Sequence, residues 1–275
     1  MIIDSHVHFW KYDKVKDAWI TDDMKQLQQD LLPQDIEPVL KNNTVNGIVA
    51  VQADQSEKET IFLKELADEN DFIKGIVGWI GLQEKSIEER LHYFSQYSII
   101  KGWRHIAQAE PAGFLLNENF LRGIAALEKY NYTYDILIYP AQIKDTLELV
   151  NKFPDQRMVL DHCAKPGIKN KAFVEWNRQI QELAKNPAVY CKLSGLLTEA
   201  TWKQWDDATF YPYFDTVFDA FGTSRLLYGS DWPVMLLSGG YEQWKNLLEN
   251  YIEKNCEAGA KEKIFGSNAI QFYNL

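Results

Sequence analysis

Eight short apolar runs rich in strand-forming residues recur along the chain with helical patterns between them: Ile2–Phe9, Val45–Gln52, Phe72–Ile80, Ile99–Arg104, Tyr132–Ile138, Met158–His162, Ala188–Ser194 and Leu226–Asp231. They lie roughly 30 residues apart, the length of one strand-plus-helix unit, and eight such units are enough to close a barrel. Alternation of this kind argues for a parallel sheet joined by crossover helices. The expected fold is a single α/β domain, a (β/α)8 TIM barrel, over residues 1–275. No low-complexity tract, internal repeat or Gly/Ser linker marks a boundary within it.

The intervening segments carry helix start and stop signals. Ser56 with Glu59, and Ser86 with Glu89, fit the capping box that satisfies orphan amide donors, and Ser86 leads into Leu91 and Phe94, spaced for one buried face. A helix over Lys171–Asn186 should stop at Asn186-Pro187, because the residue before proline is pushed out of helical geometry. Two stretches fall outside the alternation, Lys11–Gln34 after the first run and Leu197–Tyr211 after the seventh. Both follow strand C-terminal ends, where barrel enzymes build their substrate loops.

Charge and cysteine usage narrow the partners. Twenty-nine basic residues against 39 acidic ones leave a net charge of −10, a field that repels phosphate backbones and acidic lipid, so neither nucleic acid nor membrane is expected as a partner. Cys163, Cys191 and Cys256 are odd in number and far apart in sequence, which suits a reducing compartment better than a disulfide framework. Residues 1–10 lack the basic start and long apolar core of a signal peptide, and no run is long enough to span a bilayer. The expectation is a soluble cytoplasmic protein acting on a small molecule, with self-association into a homo-oligomer left open.

Chemistry concentrates at the ends of the runs. Strand periodicity places Asp4, His6 and His8 on one face and Ile3, Ser5, Val7 and Phe9 on the other, so the two imidazoles project together into the barrel. Two neutral imidazoles spaced in this way can bind one zinc-like ion, leaving other strand ends to complete its shell; the bland alternative is a hydrogen-bonded structural pair. Asp231 ends the eighth run, where a carboxylate can ligate an ion or take a proton from water; without the histidines a turn-forming Asp would be the better reading. Asp161 and His162 end the sixth run and must face opposite ways if the strand stays regular. His162 is assigned to the site, as ligand or as donor to a substrate carbonyl, and Asp161 to backbone bonds at the rim. By the same rule Arg104, not His105, enters the pocket, where a guanidinium suits a carboxylate or an oxyanion. Asp135, costly to bury in an apolar strand, is assigned to binding a substrate hydroxyl or to supporting the site, and Trp232 to stacking on a ring. Lys192 has the placement of a Schiff-base lysine, a reading the histidines oppose.

Five strings, Asp4-Ser-His-Val-His-Phe-Trp, Gly102-Trp-Arg-His, Leu160-Asp-His-Cys-Ala-Lys-Pro, Cys191-Lys-Leu-Ser-Gly and Tyr228-Gly-Ser-Asp-Trp-Pro-Val, taken in order, resemble the amidohydrolase superfamily. Within it they are most similar to the lactonase branch, which includes L-fuconolactone and L-rhamnonolactone hydrolases and 2-pyrone-4,6-dicarboxylate lactonase. The match spans nearly the whole chain, including the closing Phe265-Gly-Ser-Asn-Ala and Phe272-Tyr-Asn-Leu. The resemblance implies a barrel that hydrolyses a lactone, most simply one of a sugar acid, with His6, His8, His162 and Asp231 around the reacting centre and Arg104 on the substrate. It also implies one divalent ion, zinc first, although some members of the branch work without metal. Binuclear relatives use a carbamylated lysine after strand four and histidines on two successive later strands; here strand four ends in Arg104-His105 and strand five supplies no histidine, which argues against a two-metal site. Two alternatives remain: a nonoxidative decarboxylase of an aromatic or unsaturated acid on the same barrel, and a non-catalytic binding barrel.

Overall fold

The computed structural model covers residues 1–275 and contains one sheet of eight parallel strands in chain order: β1 (Ile3–Val7), β2 (Gly47–Val51), β3 (Ile73–Gly78), β4 (Ile100–His105), β5 (Thr133–Ile136), β6 (Met158–Leu160), β7 (Val189–Leu193) and β8 (Leu226–Tyr228). Seven fall within their apolar runs and are shorter than them, the residues beyond each strand turning away, while β4 is shifted one residue toward the C-terminus of its run. The circle closes just past β8: the Asp231 amide donates to the His6 carbonyl at 2.9 Å, and the His8 amide to the Trp232 carbonyl at 2.7 Å. A (β/α)8 barrel results, and its seam joins the first strand to the last.

Apolar side chains form two layers. The outer one lies between strands and helices and takes the outward residues of each strand, such as Ile48, Ala50 and Trp103, with helix residues such as Leu91 and Phe94. The inner one closes the barrel's base: Ile3, Val49, Val77, Val159 and Leu227 meet Phe272 and Tyr273 of the terminal helix Asn268–Tyr273. Alternation along a strand explains the division, with Val49 and Val51 inside and Ile48 and Ala50 outside.

Strand β1 breaks this alternation. Asp4 pairs with Ile48 and Val7 with Ala50, so three steps of β1 stand against two of β2, the signature of a bulge. Ile3 consequently faces in with His6 and His8, whereas Asp4 leaves their face, contrary to the simple periodicity. Its carboxylate accepts from the amides of His6 (3.1 Å) and Ser230 (2.9 Å) and from the Tyr241 hydroxyl (2.9 Å), pinning the seam from outside.

Local signals fare unevenly. Ser56 caps the helix Glu57–Glu69 by accepting from the Glu59 amide at 3.2 Å. Ser86 caps nothing with its side chain, because its backbone (φ −84°, ψ 9°) has left the extended geometry a cap requires, although Leu91 and Phe94 of helix Ile87–Phe94 are buried as expected. The helix placed over 171–186 is Val174–Leu183; residues before it form a turn bridged between Gly167 and Ala172. No helix is long and apolar enough to cross a membrane.

Phe272 carries much of the basal plug. Phe272→Ala should destabilise the fold by about 3–5 kcal/mol, the usual cost of deleting a buried phenyl ring, seen as a lowered urea midpoint; an unchanged midpoint would show that the terminal helix is not part of the cooperative core.

Candidate active site

Three imidazoles and one carboxylate meet at the open end of the barrel. His6 Nε2 and His8 Nε2 are 3.1 Å apart. Asp231 Oδ1 lies 3.4 Å from His8 Nε2, 3.8 Å from His6 Nε2 and 3.9 Å from His162 Nε2. All four residues are buried. Each arrives by a different local device: His6 and His8 from the bulged β1, Asp231 from the residues that close the seam, and His162 from beyond the end of β6. Glycines make room for the rings. A Cβ at Gly229 would stand 2.9 Å from that of His6, and one at Gly195, whose φ is +67°, would stand 2.5 Å from His162 Nδ1.

The far edges of the rings are held as well. His8 Nδ1 is 2.7 Å from the Val51 carbonyl, which can only accept, so Nδ1 carries the proton and Nε2 offers its lone pair to the site. His162 Nδ1 is 2.9 Å from Ser194 Oγ. Burial pushes His162 down to about 4 and His8 below its ordinary value, against the nearby carboxylates. Burial likewise lowers His6, more than Asp161 beside it can offset. Burial alone would raise Asp231, but its interactions with His162, His8 and His6 outweigh burial and hold the carboxyl below its usual range. At neutral pH the site is therefore an ionised carboxylate among neutral imidazoles.

This donor set fits a divalent ion. His6, His8 and Asp231 offer ligand atoms that lie within 4.8 Å of one another, as do His6, Asp161 and His162. Nitrogen and carboxylate oxygen donors together suit zinc, and the lone pair of His8 is already fixed toward the centre.

Beneath the imidazoles lies a layer of buried ions. Arg104 Nη1 meets Asp161 Oδ2 at 3.1 Å; Lys192 Nζ meets Asp161 Oδ1 at 3.0 Å and Asp135 Oδ2 at 2.5 Å; the Tyr273 hydroxyl donates to Asp135 Oδ2 at 2.8 Å. Arg104 also donates to the Gln52 carbonyl. Burial raises Asp135 to about 6 despite Lys192, whereas Asp161, facing Lys192, His6 and Arg104, is driven well below the carboxylate range. Two cations and two anions offset one another here, as burial of charge requires.

Three expectations need correction. Asp161 does not bond backbone at the rim. Strand β6 ends at Leu160, and His162, Cys163, Ala164 and Lys165 all adopt left-handed backbone (φ from 49° to 58°), so the rule that neighbours diverge no longer holds and both Asp161 and His162 enter the site. Of the two roles expected for Asp135 the structure fits the supporting one and not substrate contact, since it is fully buried below the imidazoles with Lys192 and Tyr273 and lies outside the cavity lining. Trp232 does not line the active-site cavity, but packs edge-on to Phe9 with ring centroids 6.0 Å apart.

Above the imidazoles opens a cavity of about 550 Å3, a size suited to a small ligand. His8, Arg104, His162 and Asp231 reach its floor. Its walls include Trp19 and Met24 from 11–34 and Thr198, Glu199 and Trp202 from 197–211, the two stretches that fell outside the alternation. Arg104 is inside, while His105 turns away to pair with Glu110 at 2.8 Å and stack on Phe114. Sequence reasoning missed Trp10, Lys165 and Glu199 on the walls. Lys165 stands in the Asp161-His-Cys-Ala-Lys string and Glu199 follows β7, so position relative to a strand end was the available signal. Lys192 is enclosed by carboxylates and cannot meet a substrate carbonyl from where it lies.

The amidohydrolase family model matches residues 3–275. An L-fucono-1,5-lactonase of Burkholderia multivorans is 35% identical over 99% of this chain and 96% of its own, and one of Burkholderia ambifaria is 32% identical over 99% and 95%. A crystal structure of an amidohydrolase from Burkholderia multivorans with bound zinc superposes with a TM-score of 0.95 at 35% identity, covering 100% of this chain and 99% of that one. With its barrel, its His-x-His pair at the end of β1 and its aspartate after β8, the chain belongs to the amidohydrolase family.

Proposed function

We propose that the chain opens the ring of a sugar-acid lactone, with L-fucono-1,5-lactone the first substrate to try. The observation that carries the reading is Asp231: an ionised carboxylate at the floor of a ligand-sized cavity, ringed by three neutral imidazoles. The lactonases at 32–35% identity over almost the full length supply the substrate class. Polar wall residues such as Gln55, Gln108, Lys165 and Glu199, set among Trp10, Trp19 and Trp202, suit a polyhydroxylated ring with one apolar face.

His6, His8 and Asp231, with His162 beside them, would hold one divalent ion, which when bound supplies Lewis acidity and lowers the pKa of water. The chain's own residues do the rest. Asp231 orients the attacking water and takes its proton as the oxygen adds to the lactone carbonyl carbon. Arg104, which reaches the cavity floor and whose Nε is buried without a hydrogen-bond partner, supplies positive charge for the oxyanion that forms. His162, held by Ser194, fixes the other side of the carbonyl. As the ring C–O bond breaks, Asp231 returns the proton to the departing alkoxide, and an open hydroxy acid results. No covalent enzyme intermediate is required.

The side chains of the site are all in place, which removes the ground for a non-catalytic barrel. Decarboxylation is separable by product: ring opening releases base-titratable acid, whereas loss of carbon dioxide releases gas.

Asp231→Asn should lower kcat on L-fucono-1,5-lactone by about 100-fold or more, followed as acid release; turnover like the parent's would take Asp231 out of proton transfer. Exhaustive dialysis against a chelator should lower the rate, and one equivalent of zinc should restore it. An undiminished rate after verified zinc loss would place the whole acceleration on the side chains.

A further inference from the structure

Of the imidazoles in the site, His6 is the one whose two edges make competing demands. His8 is settled: Nδ1 donates to the Val51 carbonyl and Nε2 is bare. His6 Nε2 stands 3.1 Å from that bare nitrogen. Two lone pairs at this separation repel, so either His6 Nε2 carries a proton and donates to His8, or a cation joins the two. At the opposite edge His6 Nδ1 faces Lys192 Nζ at 3.2 Å, a donor only, and Asp161 Oδ1 at 3.4 Å, an acceptor only. A bond from Lys192 requires the Nε2–H tautomer. A bond to Asp161 requires Nδ1–H and leaves Nε2 bare, in which form it can also accept from Arg104 Nη1, 3.3 Å away. Asp161 Oδ1 is buried without a hydrogen-bond partner, since Lys192 Nζ, 3.0 Å from it, is not aligned to donate there.

We propose that Lys192 and Asp161 are opposed positioning residues that set the tautomer of His6, and through it the readiness of the His6–His8 pair to take a divalent cation. With Lys192 bonded to Nδ1, His6 donates to His8 and the pair is closed by its own hydrogen bond. When the ring proton moves from Nε2 to Nδ1, Asp161 accepts it, Lys192 keeps its bond to Asp135, and both Nε2 atoms face the site bare. No proton is gained or lost, so Lys192 opposes metal loading and Asp161 favours it. The inference rests on the reading of His6, His8 and Asp231 as a metal site, and the measurement of zinc binding tests that reading separately.

The experiment uses the full chain labelled with 15N, stripped of metal, and long-range 1H–15N correlation of the imidazole nitrogens. The zinc-free protein should show His6 as Nε2–H. A double variant, Lys192→Met with Asp135→Asn, removes one charge of each sign and should shift His6 to Nδ1–H. Its zinc Kd, from competition with a chromophoric chelator, should fall about tenfold, while Asp161→Asn should raise Kd about 10–100-fold, the usual effect of losing a ligand's hydrogen-bond partner. An Nδ1–H signal in the zinc-free parent would overturn the proposal, and so would a folded double variant whose tautomer and zinc Kd match the parent's. Should the double variant fail to fold, the parent spectrum still decides. Absence of zinc binding by parent and variants alike would defeat the metal reading, while the tautomer spectra would still judge the roles of Lys192 and Asp161.

Discussion

The main-chain bond from Asp231 to the carbonyl of His6, 2.9 Å long, closes the barrel and in the same stroke places the carboxylate of the last strand's end beside the imidazoles of the first. Site assembly is thus a consequence of sheet closure. Residues more than 220 positions apart in sequence become neighbours because a parallel sheet of eight strands has to join its edges. Asp4 strengthens this joint from outside by accepting the amides of both His6 and Ser230.

Inside the closed wall the interior is stacked by polarity. Apolar residues and the terminal helix occupy the base, a neutralised set of ions the middle, and the imidazoles with Asp231 the top. The order has a physical logic. Imidazoles that must stay neutral and fixed cannot rest on a purely apolar floor, because their inner edges would lose hydrogen-bond partners. Val51 and Ser194 serve the edges of His8 and His162, while Arg104, Asp161 and Lys192 surround His6 and Asp135 balances Lys192; each of these charges is tolerable only because the others are there. The outlying member, Tyr273, ties this layer to the C-terminal helix, so the chain's last helix contributes to the footing of residues near its start.

Much of this was legible along the chain. The eight runs were found where the strands lie, and parity distinguished Arg104 from His105 because β4 is regular to its end. The stretches 11–34 and 197–211 were marked as substrate loops by what precedes them, and both supply walls of the cavity. Parity failed wherever the backbone left regular geometry. One inserted step in β1 removed Asp4 from the face of His6. Four successive left-handed residues after β6 let Asp161 and His162 point the same way. Neither event has a glycine or proline at the position to announce it. For Asp135 and Trp232 the residue type suggested substrate contact, but depth in the barrel decided the role, and depth is not written in a single strand.

The amino-acid order alone determined the repeating strand-and-helix pattern, hence the barrel, and the residue types from which a hydrolytic site could be built. Periodicity is a local property, so it survives reading one residue after another. What only the tertiary structure decided is which nitrogen faces which oxygen: the bare Nε2 of His8, the contested edge of His6, the orphaned oxygen of Asp161. Those depend on separations of about 3 Å between side chains from four or five different strands, distances that exist only once the sheet has closed.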